Sequence, residues 1–254
     1  MAQPGAPAQS SIHAATASWR PMAFGHKSPY KIADPICEPL WGGRRVLVEV
    51  AAGEVEIRGT DGADVGGYAA LRAAIADAVF ADELLLDGSL LPAPLRDTEG
   101  ARIRVGMDAV KSPGERVKHI FIGESPLTGK RDALAVADEA RMPSPGAEPA
   151  ALVATDLLWI DGQPLLDIPL LERKRVLESA IDERELVRRS MVVRPPVETW
   201  FAQWRALGFE EVTYKAANGR YRPGTVADHP ALVGPEPLPA GHSRAVADRG
   251  RLHR

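Results

Sequence analysis

The segment Arg45-Val46-Leu47-Val48-Glu49-Val50 is followed, after Ala51-Ala52-Gly53, by Glu54-Val55-Glu56-Ile57-Arg58. Apolar and polar residues alternate in both segments, which is typical of strands that bury one face and expose the other. The glycine in the three-residue connection suits a tight turn. The pattern therefore predicts a half-buried antiparallel hairpin.

Similar local patterns extend in both directions from this hairpin. Short apolar segments bounded by turn residues or charge predict further strands at residues 84–86, 119–122, 152–160, 187–193 and 210–215. Helical spacing of apolar residues predicts helices at 68–80, 170–181 and 197–207, the last one closed by Gly208 and buried through Trp200, Phe201 and Trp204. Strands and helices do not alternate regularly, so the expected class is α+β.

Composition limits the classes of function. The chain has 254 residues, a formal net charge of -3 and a single cysteine, Cys37. There is no overall basic field, so any nucleic-acid contact must come from a local patch. The lone cysteine and six scattered histidines give no paired metal-ligand spacing. No apolar run reaches the length of a membrane span, so we expect a cytoplasmic protein without a membrane partner.

Low-periodicity segments flank the patterned region. Residues 1–20 are rich in Ala, Gln, Ser and Pro and predict a disordered lead. Residues 225–254 contain several prolines and end in arginines, which predicts a flexible tail. The expected domain is therefore 21–224, without an OB-fold after it.

The segment Glu38-Pro39-Leu40-Trp41-Gly42-Gly43-Arg44-Arg45 resembles the first signature of ATP-dependent DNA ligases, Lys-x-Asp-Gly-x-Arg before a strand. In that family the lysine attacks the α-phosphate of ATP to form a lysyl-AMP, and the arginine contacts the ribose. Leu40 stands at the lysine position and Gly42 at the aspartate position, whereas Gly43 and Arg45 match. The resemblance implies an adenylation domain without its nucleophile.

Other family landmarks recur in the same order. Three of these motifs are recognisable but have one functional residue replaced. In the turn after the hairpin, Thr60 stands in place of an arginine. Ser89 stands in place of the glutamate of Leu-Asp-Gly-Glu-Leu, and Thr155 in place of the aromatic residue that stacks on adenine. Three others match well, at residues 165–173, 208–215 and 220–224. The final Lys-x-Lys motif is missing.

The resemblance implies a fold, cofactors and site residues. The fold is an ATP-grasp-like nucleotidyltransferase domain of the DNA ligase type, with antiparallel sheets packed with helices. The cofactors are ATP and Mg²⁺, with Glu210 assisting the metal ion and Lys215 contacting phosphate. Together with Glu38 and Arg45, these residues form the expected nucleotide-binding remnant.

Residues of this remnant, and several other charged residues, also have a simpler interpretation. Arg45 can be a solvated strand end, and Glu210 and Lys215 fall on opposite faces of a regular strand because five residues separate them. Asp87, Asp156 and Asp161 fit turn chemistry. The charged run at 172–175 is typical of a solvated helix face.

Three functions stay open. The preferred hypothesis is a ligase-fold pseudoenzyme that binds a nucleotide, nucleic acid or a protein partner. The second is an active ATP-dependent DNA ligase with a non-standard nucleophile, for which neither Lys31 nor Lys215 is a convincing candidate. The third is a structural interaction module whose cleft is filled by Leu40 and Trp41. The motifs resemble DNA ligases more than RNA ligases or mRNA capping enzymes.

Overall fold

A computed structural model describes residues 11–25, 29–93, 149–224 and 232–238 of the chain. The predicted strand at 119–122 lies outside these residues. The described helices are α1 (Ser11–Thr16), α2 (Ala69–Ala78), α3 (Leu170–Ala180) and α4 (Glu198–Ala206), with a 3-10 turn at Pro29–Lys31. None of the helices in these ranges is long and apolar enough to cross a membrane.

The larger of two sheets contains six strands. They are β2 (Arg44–Ala51), β3 (Glu54–Arg58), β4 (Glu83–Pro92), β5 (Ala150–Ile160), β6 (Gln163–Pro164) and β7 (Val187–Arg189). The order is β3-β2-β4-β5-β6, all antiparallel, and β7 pairs in parallel with β5. The predicted hairpin is confirmed, with Val50 opposite Val55.

The smaller sheet has three antiparallel strands in the order β1-β8-β9. These are β1 (Pro35–Pro39), β8 (Glu211–Ala216) and β9 (Leu232–Pro237). The α+β prediction is confirmed by mixed sheets packed with helices.

Buried apolar residues pack on both faces of the large sheet. On one face, Val46, Val48 and Leu86 pack with residues of α2 and α3. On the other face, Leu47 packs with Ile12 of α1. The hairpin was predicted to be half-buried, and for β2 this was wrong, because α1 covers the face that alternation assigned to solvent.

A third cluster lies around α4. Phe201 and Trp204 are buried there, Trp200 packs against them, and Gly208 follows with a φ of 87°. The predicted apolar helix face and its glycine cap are confirmed. A left-handed backbone at this position favours glycine.

Both flanking predictions fail in part. The lead predicted as disordered contains α1, because Ile12 is fully buried and Thr16 hydrogen-bonds a sheet residue. The tail predicted as flexible contains β9, whose backbone pairs with β8. The limits 21–224 of the domain stay a prediction.

Candidate functional site

A polar cleft lies where the two sheets approach each other. The volume of the cleft, measured out to its open mouth, is about 290 Å³. This volume includes open solvent, and the enclosed part, about 10 Å³, is far below the volume of a typical pocket for a whole small-molecule ligand. The residues lining it are Met22, Arg45, Asp87, Asp156, Leu170, Arg173, Lys215, Gly219, Arg220 and Tyr221.

One buried carboxylate beside the cleft binds two lysines. Glu38 Oε1 lies 2.8 Å from Lys174 Nζ, and Glu38 Oε2 lies 3.2 Å from Lys215 Nζ. Burial alone would raise the pKa of Glu38, but the two ammonium groups lower it below its ordinary value. Glu38 is therefore held as a carboxylate with both oxygens directed at lysines.

Strand register explains the contact between Glu38 and Lys215. Glu38 on β1 faces Thr213 on β8, and Lys215 is two residues farther along β8. Such diagonal neighbours share a face and lie within reach of a long side chain.

Helix periodicity explains the contact with Lys174. The buried positions of α3 are spaced as one helix face and are Leu170, Arg173, Lys174, Leu177 and Ala180. The charged run at 172–175 was predicted to be solvated, and for its two middle residues this was wrong. Burial lowers the pKa of the Lys174 ammonium, although Glu38 acts in the opposite direction.

Lys174 also makes a hydrogen bond to the backbone of the large sheet. Its Nζ donates to the carbonyl of Thr155. The register of β5 against β4 shifts at this point, since Asp87 faces Asp156 whereas Gly88 faces Ala154. A residue in such a bulge has no strand partner for its carbonyl, so the lysine satisfies a buried acceptor.

Arg45 is engaged inside the protein. Its Nε and Nη2 donate to Asp87 Oδ1 and Oδ2 at 3.0 and 2.7 Å, and its guanidinium lies 5.4 Å from the centre of the Phe24 ring. Burial alone would lower the pKa of Arg45, but Asp87 raises it. Arg45 is therefore an ion-pair partner, and its interpretation as a solvated strand end was wrong.

Tyr221 completes this network. Its hydroxyl donates to Asp87 Oδ2 at 2.7 Å and accepts from the backbone N–H of Met22 at 2.9 Å. Burial and the Asp87 carboxylate raise the pKa of Tyr221 well above its ordinary value. The phenol therefore stays neutral and links the segment after α1 to the cleft.

A second bidentate pair lies beside the first. Arg173 Nε and Nη2 donate to Asp156 Oδ1 and Oδ2 at 2.8 and 2.7 Å. Asp87 and Asp156 are buried and directly opposite each other on β4 and β5. Like charges in this arrangement repel, so each needs its arginine. Turn chemistry is therefore wrong for both, whereas Asp161 does accept the backbone N–H of Glu83 from a turn.

The remaining motif positions lie outside the cleft lining. Leu40 follows β1, and its backbone N–H donates to the carbonyl of Glu211 at 2.9 Å. Trp41 is buried at 4.9 Å, centre to centre, from the Phe209 ring and donates to Ser190. The expectation that Trp41 fills the cleft was therefore wrong.

The cleft does not fit the metal ion that the family implies. Glu210 is exposed just before β8 and is not among the residues lining the cleft. The two carboxylates that do line it, Asp87 and Asp156, are each held by an arginine. The structure thus brings together Glu38, Arg45 and Lys215 in one polar region but leaves Glu210 out.

Comparison with known proteins gives the family. The family model of the ATP dependent DNA ligase domain matches residues 28–229. A probable DNA ligase of Streptomyces coelicolor is 37% identical over 82 residues, which is 31% of this chain and 16% of that protein. The DNA ligase of Thermococcus fumicolans is 31% identical over 80 residues, which is 30% of this chain and 14% of that protein.

Solved structures give the same fold. A mycobacterial DNA ligase D complexed with ATP and MES aligns with a TM-score of 0.58 and 22% identity over 85% of this chain and 60% of that one. The ligase domain of LigD from M. tuberculosis aligns with a TM-score of 0.53 and 24% identity over 85% and 59% of the two chains.

The aligned regions are only part of these relatives, about a sixth of the two curated ligases and about 60% of the two structures. The family match nevertheless covers most of this chain, and the order of its motifs agrees with the fold. The chain therefore belongs to the ATP-dependent DNA ligase family and has the fold of its adenylation domain.

Proposed function

We propose that this domain binds the phosphate group of a nucleotide or of DNA in its cleft without forming a lysyl-AMP. The observation that carries the proposal is the engagement of the two lysines that lie beside Glu38 in the described part of the chain. Lys174 and Lys215 each lie within 3.2 Å of a Glu38 oxygen, and Leu40 has no amine. An amine that attacks phosphorus needs a free lone pair directed at the substrate.

The net positive charge of the cleft lining supports phosphate binding. Four cationic and two anionic side chains line the cleft, which leaves two positive charges in excess. Arg220 is exposed at the mouth, and the hydrogen bond described for its guanidinium goes to the backbone carbonyl of Asp167. A guanidinium held by a carbonyl keeps its charge and several donors for a phosphate.

An equilibrium titration tests the binding. The full chain is titrated with fluorescent nicked duplex and with ATP at several salt concentrations. Arg220→Gln is expected to weaken binding and to reduce the dependence of log affinity on log salt by about one for the duplex. Arg175→Gln is the matched control, because Arg175 is also exposed and pairs with Glu172 on α3. Equal losses in both variants would contradict a phosphate site in the cleft.

The paired charges also favour a second candidate, a structural interaction module. Arg45, Arg173 and Lys215 are all bound to carboxylates of the protein itself. If these pairs hold the cleft closed, neither ATP nor the duplex binds at any salt concentration. The same titration therefore separates the two candidates.

A further inference from the structure

A second cluster of charged groups lies on the same face of β2 as the cleft but away from it. Arg45, Leu47 and Glu49 share that face by alternation, so Glu49 is about 13 Å along the strand from Arg45. Around Glu49 are His13 of α1 and Glu56 of β3. Their donor atoms, one from each residue, all lie within 4.8 Å of one another.

We propose that His13, Glu49 and Glu56 bind a divalent transition-metal ion of the zinc class. His13 Nδ1 lies 3.4 Å from Glu49 Oε1 and 3.1 Å from Glu56 Oε2. Ligands about 2.0–2.1 Å from a tetrahedral zinc ion are about 3.3–3.4 Å from one another. The two separations from the imidazole are thus close to the edge of a zinc tetrahedron.

Strand register gives an independent reason for a cation here. Glu49 and Glu56 are directly opposite each other on β2 and β3. Two carboxylates in this position repel, so a positive charge between them would stabilise the sheet. Arg58 supplies one charge, but it lies on Glu49 Oε2, 3.1 Å away.

Of the two carboxylate oxygens of Glu49, Oε1 is the one that remains for a metal ion. Thr16 Oγ1 donates to Oε2 at 2.9 Å, so Oε2 has two donors, while Oε1 lies 3.4 Å from His13 Nδ1. The Glu49 side chain is 5% exposed and is therefore fixed by its surroundings. Two carboxylates with one imidazole are a donor set that suits zinc, with one position left for water.

The bound ion would fasten α1 to the hairpin. Ile12 and Thr16, on either side of His13, already contact the sheet, and the segment after α1 leads to Met22 and its hydrogen bond with Tyr221. Metal binding to the folded chain alone stabilises it in proportion to the logarithm of the metal concentration. The site would therefore order the N-terminal side of the cleft.

Calorimetric titration of the full chain with ZnCl₂ tests the proposal. One equivalent is expected to bind, with an increase in Tm, and His13→Ala and Glu56→Gln are each expected to weaken binding by at least roughly tenfold. Glu54→Gln is the matched control, since it removes the same charge from the same strand outside the cluster, and it is expected to bind like the native chain. Circular dichroism checks that each variant is folded.

Cobalt(II) provides a second readout. We expect visible absorption bands of bound cobalt in the native chain and in Glu54→Gln, and their loss in His13→Ala. Zinc or cobalt binding that is equal in the native chain and His13→Ala would place the metal elsewhere and overturn the proposal. An absence of binding to the native chain would also overturn it.

Discussion

Replacing Glu38 by glutamine removes the carboxylate that neutralises two lysines. The side chain of Glu38 is 2% exposed, and those of Lys174 and Lys215 are 8% and 12% exposed. An amide of the same shape leaves Lys174 desolvated without its counter-ion. Removing one partner of a buried pair costs about 3–5 kcal/mol. We therefore expect the free energy of unfolding at pH 7 to fall by about that amount.

Urea unfolding followed by fluorescence of the five tryptophans measures this loss. With a slope of about 2–3 kcal/mol/M, the midpoint is expected to fall by about 1–2.5 M. Glu178→Gln is the control, because Glu178 is exposed on α3. The double variant Glu38→Gln/Lys174→Met is expected to recover much of the loss, since replacing both partners of a buried pair is often close to neutral.

The loss also depends on pH. The pKa of Glu38 is below its ordinary value of 4.5 in the folded chain. Its contribution is therefore present above that value and disappears as the pH falls through the folded pKa. The native chain and Glu38→Gln are expected to converge in stability below pH 4.5. A loss under about 1 kcal/mol at pH 7, or no recovery in the double variant, would refute the ion-pair assignment.

Three further results are expected. Tyr221→Phe is expected to lower the free energy of unfolding by about 1–3 kcal/mol in the same urea assay, because Asp87 loses a donor and the Met22 N–H an acceptor. Gly43→Ala is expected to lower the yield of folded protein and its Tm, because a Cβ would lie 2.1 Å from a β4 carbonyl at a φ of +68°. Cys37 is expected to resist a thiol reagent at pH 8 until the chain is unfolded by urea, because burial and Glu38 raise its pKa to about 12.

Local patterns predicted much of the fold. The alternation in the hairpin and the apolar face of α4 each involve residues close in sequence, so periodicity alone identifies them. The same is true of Gly208, because a helix end favours a residue that adopts a positive φ. β9 was missed, since its pairing with β8 is not visible in the composition of a proline-containing segment.

The site was harder to predict because its contacts join distant parts of the chain. Glu38 and Lys215 are 177 residues apart, and their contact depends on the register of β1 against β8. Lys174 was overlooked because a run of charge usually marks a solvated face. The spacing from Leu170 through Lys174 to Leu177 could have indicated otherwise, because these residues share one helix face.

The central claim is that the cleft binds phosphate but forms no covalent bond with AMP. The most direct test incubates the native chain with α-labelled ATP and Mg²⁺ or Mn²⁺ and follows the label through gel filtration, first under native and then under denaturing conditions. We expect no label to stay with the protein under denaturing conditions. Label that survives denaturation would contradict the claim, and peptide mapping would then begin at Lys174.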